Sequence, residues 1–71
     1  MSQSSRILDY MAVLGSITQL EAMRDLGVMR LGARVFDLKE KGHNIQTVMV
    51  EGENRFGEPT RYARYFNLGD A

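Results

Sequence analysis

Arg30 and Arg34 stand four residues apart in the run MRLGARVFDLKEKG, with Met29 and Ala33 beside them. On a helix that spacing puts both guanidinium groups on one face. An arginine fork can bond O6 and N7 of a guanine together, or grip a phosphate. Lys41 falls on the same side. Asp37 does too; it can accept from cytosine N4, and its expected role is to orient Arg34 or Lys41. Lys39, near the helix end, is expected to complement the helix dipole. The chemistry on offer is recognition of a nucleic acid rather than bond-making.

Two further groups fit that chemistry. Thr18 and Gln19 open a short helical run, where a hydroxyl and helix N-terminal amides can hold a phosphate. Asn54-Arg55-Phe56-Gly57 reads as a loop tip. Arg55 there suits a narrow minor groove, although Glu51, Glu53 and Glu58 surround it. Phe56 is expected to fold back onto its hairpin. Arg61 and Arg64 follow with odd spacing, so one of them faces solvent and can reach a DNA backbone. Charges on such a strand also discourage edge pairing.

Catalysis finds no support. No serine sits in a nucleophile elbow and no glycine loop matches a phosphate cradle. His43 has no acid or base partner in the pattern and is expected to be a surface residue at a helix-to-strand turn. No catalytic residue, metal ligand or cofactor is expected.

The elements that must position these residues are legible in order. Ser4 or Ser5 is expected to cap a first helix carrying Ile7, Leu8, Met11 and Leu14, ended by Gly15. Ser16-Ile17 is a short connector, with an extended conformation open to it, and Ile17 packs beside the second helix as a hydrophobic staple. Thr18 caps a second helix from about Gln19 to Leu26, with Glu21 as its capping-box partner and Leu20, Met23 and Leu26 at helical spacing. Gly27 stops it. A third helix from about Arg30 to Lys41 buries Leu31, Val35 and Leu38. After Gly42 the period falls to two: strands are expected over 45–50 and 60–68 around the turn-rich EGENRFGEP. The alternation in the last strand leaves both of its faces open as the buried one. The fold class is α+β, three helices followed by a β-hairpin: a winged helix-turn-helix with the third helix in the major groove.

The stretches GSITQLEA at 15–22, MRLGARVFDLKEKGHNI at 29–45 and NRFGEPTRYARY at 54–65 resemble a small winged helix-turn-helix family common in bacteriophage and prophage genomes. The resemblance spans roughly residues 6 to 68. It implies a DNA-binding fold and, by association, a phage regulatory setting.

Size and charge bound the reading. Seventy-one residues make a single domain with its core over about 5–68, small enough that a sizeable fraction of its surface stays exposed. At 44% hydrophobic residues the chain is too apolar for a disordered tail, and without cysteine it has no disulfide or thiolate zinc site. No apolar run reaches the roughly 20 residues of a membrane span. The N-terminal MSQSSR lacks the apolar segment of a secretion signal, so a cytoplasmic protein is expected. Nine cations cancel nine carboxylates, whereas DNA-binding domains are usually basic. The balance is uneven along the chain: residues 1–29 carry two cations against three carboxylates, residues 30–64 seven against five.

The expected function is sequence-specific binding of double-stranded DNA, with a homodimer or larger complex supplying the area that one small module lacks. The alternative is a winged helix that binds a host or phage protein, for example as an inhibitor or antirepressor. Zero net charge and the acidic loop argue for that alternative.

Overall fold

The computed structural model describes the backbone of residues 3–70 and the side chains of 3–69; Met1, Ser2 and Ala71 lie outside the described residues. Helix α1 (Gln3–Leu14) leads into strand β1 (Ser16–Thr18) and the single turn α2 (Gln19–Glu21), which continues as a π-helical turn over Ala22–Leu26. Helix α3 (Leu31–Glu40) and strands β2 (His43–Glu53) and β3 (Pro59–Asp70) complete the chain. The sheet is antiparallel with β3 central, in the order β1-β3-β2.

The core is one cluster: Ile7 and Met11 of α1, Ile17 of β1, Ala22 and Val28 around the helix-turn-helix bend, Leu31, Val35 and Leu38 of α3, and Ile45 of β2. The α3 residues recur at i, i+4 and i+7, so a 3.6-residue period alone puts them on one stripe. Leu8, Tyr10, Leu26 and Tyr65 pack around this cluster.

Four expectations need correcting. The helix α1 already includes Ser4 and Ser5, so neither caps it, and Leu14 is exposed beside Gly15, where φ of +89° ends the helix. Ser16-Ile17 is more than a connector: it is a sheet strand, with Ile17 opposite Tyr65 and fully buried. A segment of three residues is too short to show a period, and its partner lies far along the chain.

The second helix turns a different face inward from the one its leucines suggest. Leu20 and Met23 are exposed, and Ala22 is the fully buried residue. Leu20 precedes Ala22 by two residues, about 200° around the helix, so burying Ala22 turns Leu20 outward. The π turn that follows, with its i→i+5 bonding, departs from the 3.6-residue phase on which the expectation rested. Gly27 then takes φ of +69°, and its N–H and that of Val28 close the turn onto Met23 and Ala22 carbonyls at 3.2 and 3.0 Å. Val28, in the bend itself, is fully buried and anchors it.

Both hairpin strands run longer than their β-branched centres imply, and only 54–58 remains as the turn. Pairing with β1 stops at Thr18 opposite Arg64, whereas β2 and β3 stay paired out to Glu53 opposite Pro59. The five residues of β3 beyond that point form a two-stranded arm reaching about 16 Å past the three-stranded sheet. Pairing register also assigns the faces of β3. Tyr65 lies opposite Ile17 and packs on the core, so Ala63 and Asn67 share the helix side while Tyr62, Arg64 and Phe66 face away.

Candidate nucleic-acid interface

The start of α3 carries the densest set of exposed candidates. Arg30 is the residue before the helix and is exposed; Met29 beside it is 68% exposed. Arg34 and Ala33, one turn on, are half-buried. Together with Gln3 and Gly27, the side chains of Met29, Arg30 and Arg34 line a shallow hollow. Arg34 Nη2 stands 3.4 Å from Asp37 Oδ2, an i,i+3 pair that orients the guanidinium along the helix surface. Among the described residues no carboxylate pairs with Arg30. Lys41 is exposed at the helix C-terminus, where its position also favours a cation.

Thr18 and Gln19 are placed differently. Thr18 is buried, and its hydroxyl accepts from Glu21 N at 3.2 Å while Glu21 Oε1 accepts from Thr18 N at 3.0 Å. That is the expected capping box. Gln19 uses both ends of its amide inside the molecule: Nε2 donates to the Val28 carbonyl at 2.9 Å, and Oε1 accepts from Leu31 N at 2.8 Å.

The arm ends in a turn built on Asn54. Its Oδ1 accepts from Phe56 N and Glu58 N at 2.9 and 3.1 Å, and its Nδ2 donates to Glu58 Oε1 at 3.3 Å. Asn54 therefore shapes the tip, and Gly57, at φ of +77°, supplies the left-handed residue. Arg55 is exposed there. Phe56 does not fold back: it is 79% exposed. Its N–H is held by Asn54 in the turn beyond the last strand pair, Glu53 opposite Pro59. Arg61 is exposed opposite Glu51, and Arg64 faces the other way. The Arg64 Nη1 donates to Ser16 Oγ at 2.8 Å and to Glu21 Oε1 at 3.4 Å, bracing the wing strand against α2.

Helix, tight turn, helix and hairpin thus stand in the order and spacing of a DNA-reading module, with arginines at the start of the third helix. The family described as "Winged helix-turn-helix domain" matches residues 2–68. The chain belongs to that family. No curated relative and no solved structure matches it. The family's winged helix-turn-helix architecture points to double-stranded DNA binding.

The remaining polar clusters of this winged helix-turn-helix domain are structural. His43 opens β2 and is half-buried rather than a surface turn residue. Among the described residues no group of three or more His, Cys, Asp or Glu could hold a metal ion, and no helix is long and apolar enough to cross a membrane. Arg24 Nε and Nη2 donate to the two oxygens of Asp25 at 2.9 and 3.1 Å, and Tyr10 Oη donates to Oδ2 at 2.6 Å. The Arg24 bonds first, and the Tyr10 bond second, hold the Asp25 carboxyl down at about 2. The Asp25 hydrogen bond raises the Tyr10 phenol, and the same carboxylate raises Arg24.

A depressed carboxyl pKa stabilises the fold above the unfolded value, and that contribution fades as pH falls through the folded one. Between the ordinary 3.8 and about 2, the wild type should therefore lose stability that an Asp25→Asn variant never had. Chemical denaturation at a series of acid pH values checks this: the two curves should converge across that window and separate above it.

Sequence reasoning missed Gln19 as an internal ligand of α3 and Arg64 as a brace. Both are long-range contacts, and neither residue type distinguishes an inward from an outward role. Gln19 at least adjoins the Thr18 cap in sequence, whereas Arg64 reaches it only through the pairing of β1 with β3.

Proposed function

We propose that the chain binds double-stranded DNA sequence-specifically, with α3 in the major groove and the arm against an adjacent groove or the backbone. The observation that carries this reading is the accessible surface of Met29, Arg30 and Arg34 at the start of α3, away from the carboxylates of the arm. Arg55 and Arg61 are the exposed cations of the arm, and Lys41 adds one at the far end of α3. The resemblance to phage-borne winged helices supports a small phage or prophage transcriptional regulator, or an accessory factor in excision or packaging, acting in the cytoplasm of a bacterial host. One module of this size covers only about 600–1,000 Å² of DNA, which favours a dimer or larger complex on the site.

A second reading rests on the arm. Phe56 is exposed at its tip, and Glu51, Glu53 and Glu58 outnumber Arg55 and Arg61 around it. That composition suits a protein surface better than a phosphate backbone.

Titrating a fluorescent duplex across about 50–200 mM salt separates the two. DNA binding should give a log–log plot that falls linearly, with a slope of about −0.9 for each phosphate neutralised. A flat or absent response, with a stoichiometric protein co-purifying from the native cell, would replace the first reading by the second.

A further inference from the structure

We infer that Gln19 is a positioning residue for the recognition helix: it caps α3 from another helix and so fixes where Arg30 points. This rests on the DNA-binding reading above.

The first N–H groups of any helix lack an intrahelical acceptor, and a side-chain oxygen of the residue before the helix usually supplies one. Here that residue is Arg30, which carries no acceptor and makes no capping bond. One of these free donors is met by Gln19 Oε1, which accepts from Leu31 N at 2.8 Å although Gln19 lies twelve residues earlier. Its Nε2 meanwhile donates to the Val28 carbonyl at 2.9 Å.

One amide thus grips the backbone on both sides of Met29 and Arg30. The residues it grips are themselves fixed, because Val28 and Leu31 are fully buried in the core. Its own base is fixed as well. Gln19 follows the capped Thr18, and Glu21, two residues on, is bonded to Thr18 N and to Arg64. The two residues left between the grips are both exposed, and Arg30 is one of them. Binding that depends on a side chain held in one pose gains from such pre-organisation.

The chemistry is specific to a glutamine amide, which offers a donor and an acceptor on one short planar group. Glutamate keeps the acceptor for Leu31 N and loses the donor for Val28 O. Alanine loses both.

The test is a double-mutant cycle with amide exchange as a second readout. Gln19→Ala, Arg30→Ala and the double variant are titrated with a mixed-sequence duplex two helical turns long, and Leu31 N–H exchange is followed by NMR. If Gln19 works by positioning, Gln19→Ala speeds Leu31 exchange and lowers affinity by about tenfold, the scale of a lost cap. In the Arg30→Ala background the same change then has little further effect on affinity. Additive losses would mean that Gln19 touches DNA directly, and unchanged exchange would mean that it does not cap α3; either overturns the proposal. Gln19→Glu, which keeps one of the two bonds, should fall between wild type and alanine, and serves in the same cycle if the alanine variant does not fold. Wild-type protein that ignores the duplex removes the DNA reading and this role with it. An undisturbed duplex affinity in Gln19→Ala, with wild type binding, removes this role alone.

Discussion

An Arg30→Ala, Arg34→Ala double variant should lose at least about 30-fold in affinity for duplex DNA, because each bidentate contact to a base is worth about 1–3 kcal/mol. Fold stability should stay within about 0.5 kcal/mol of wild type, since neither side chain is part of the core. The two arginines are not equivalent. Arg34 already faces Asp37 at 3.4 Å with both side chains more than a third exposed, and a pair of that kind is worth only about 0–1 kcal/mol. DNA must compete with Asp37 for Arg34, whereas among the described residues Arg30 has no carboxylate to leave. Arg30→Ala alone should therefore cost more than Arg34→Ala alone. The salt series adds a second discriminator. Removing a phosphate contact flattens the log–log slope by about one unit, while removing a base contact lowers affinity at every salt with little change of slope. Equal affinities for wild type and double variant would eliminate the α3 surface as the reader.

The zero net charge becomes less of an obstacle once the charges have positions. Asp25 is bonded to Arg24 and Tyr10, Glu21 to Thr18 and Arg64, Glu58 to Asn54, and Glu51 stands opposite Arg61. Several of the carboxylates are thus engaged within the fold rather than spread over the α3 surface. What opposes phosphate locally is Asp37; the arm carboxylates Glu51 and Glu53 lie on β2 beyond its three-stranded part, and Glu58 lies in the tip turn. Net charge sets long-range steering and non-specific affinity. Specific contacts at Arg30 depend on the local arrangement instead.

What could be read from the sequence, and what could not, divides along physical lines. The stripe Leu31, Val35 and Leu38, the Thr18–Glu21 capping box and the Gly27 stop are local consequences of helix geometry, and all three appear as expected. The family resemblance extended this to the whole fold. The failures involve partners distant in sequence or a change of helical phase. Strand β1 exists because β3 pairs with it. Leu20 and Met23 point outward because Ala22 takes the core side of the second helix, where the chain also widens into a π turn. Phe56 stays exposed because Asn54 folds the tip without it. Among the binding candidates, Arg30, Met29 and Arg34 lie together, whereas Thr18 is held in its expected capping box and Asn54 and Arg64 have internal bonds that residue type did not reveal.

Burial makes an opposite pair of expectations for two leucines that look alike in sequence. Leu31 is fully buried where α3 meets the core, and Leu20 is 63% exposed. Leu31→Ala should destabilise the domain by about 2–5 kcal/mol, through lost transfer energy and an unfilled cavity. A chain of this length has roughly 4–11 kcal/mol in total, so the loss takes a large share and should lower Tm by at least about 10 °C. Leu20→Ala should change stability by about 0.5 kcal/mol or less. Thermal melts followed by circular dichroism measure both. Were the 3.6-residue phase of Leu20, Met23 and Leu26 correct, the two variants would fall together, and the buried position of Ala22 would be wrong. A large gap between them shows that Ala22, and not Leu20, takes the core side of the second helix. The recognition helix is then set at both ends: Val28, Leu31 and the Gln19 amide hold its first turn, and Val35 and Leu38 seat the rest of it on the core.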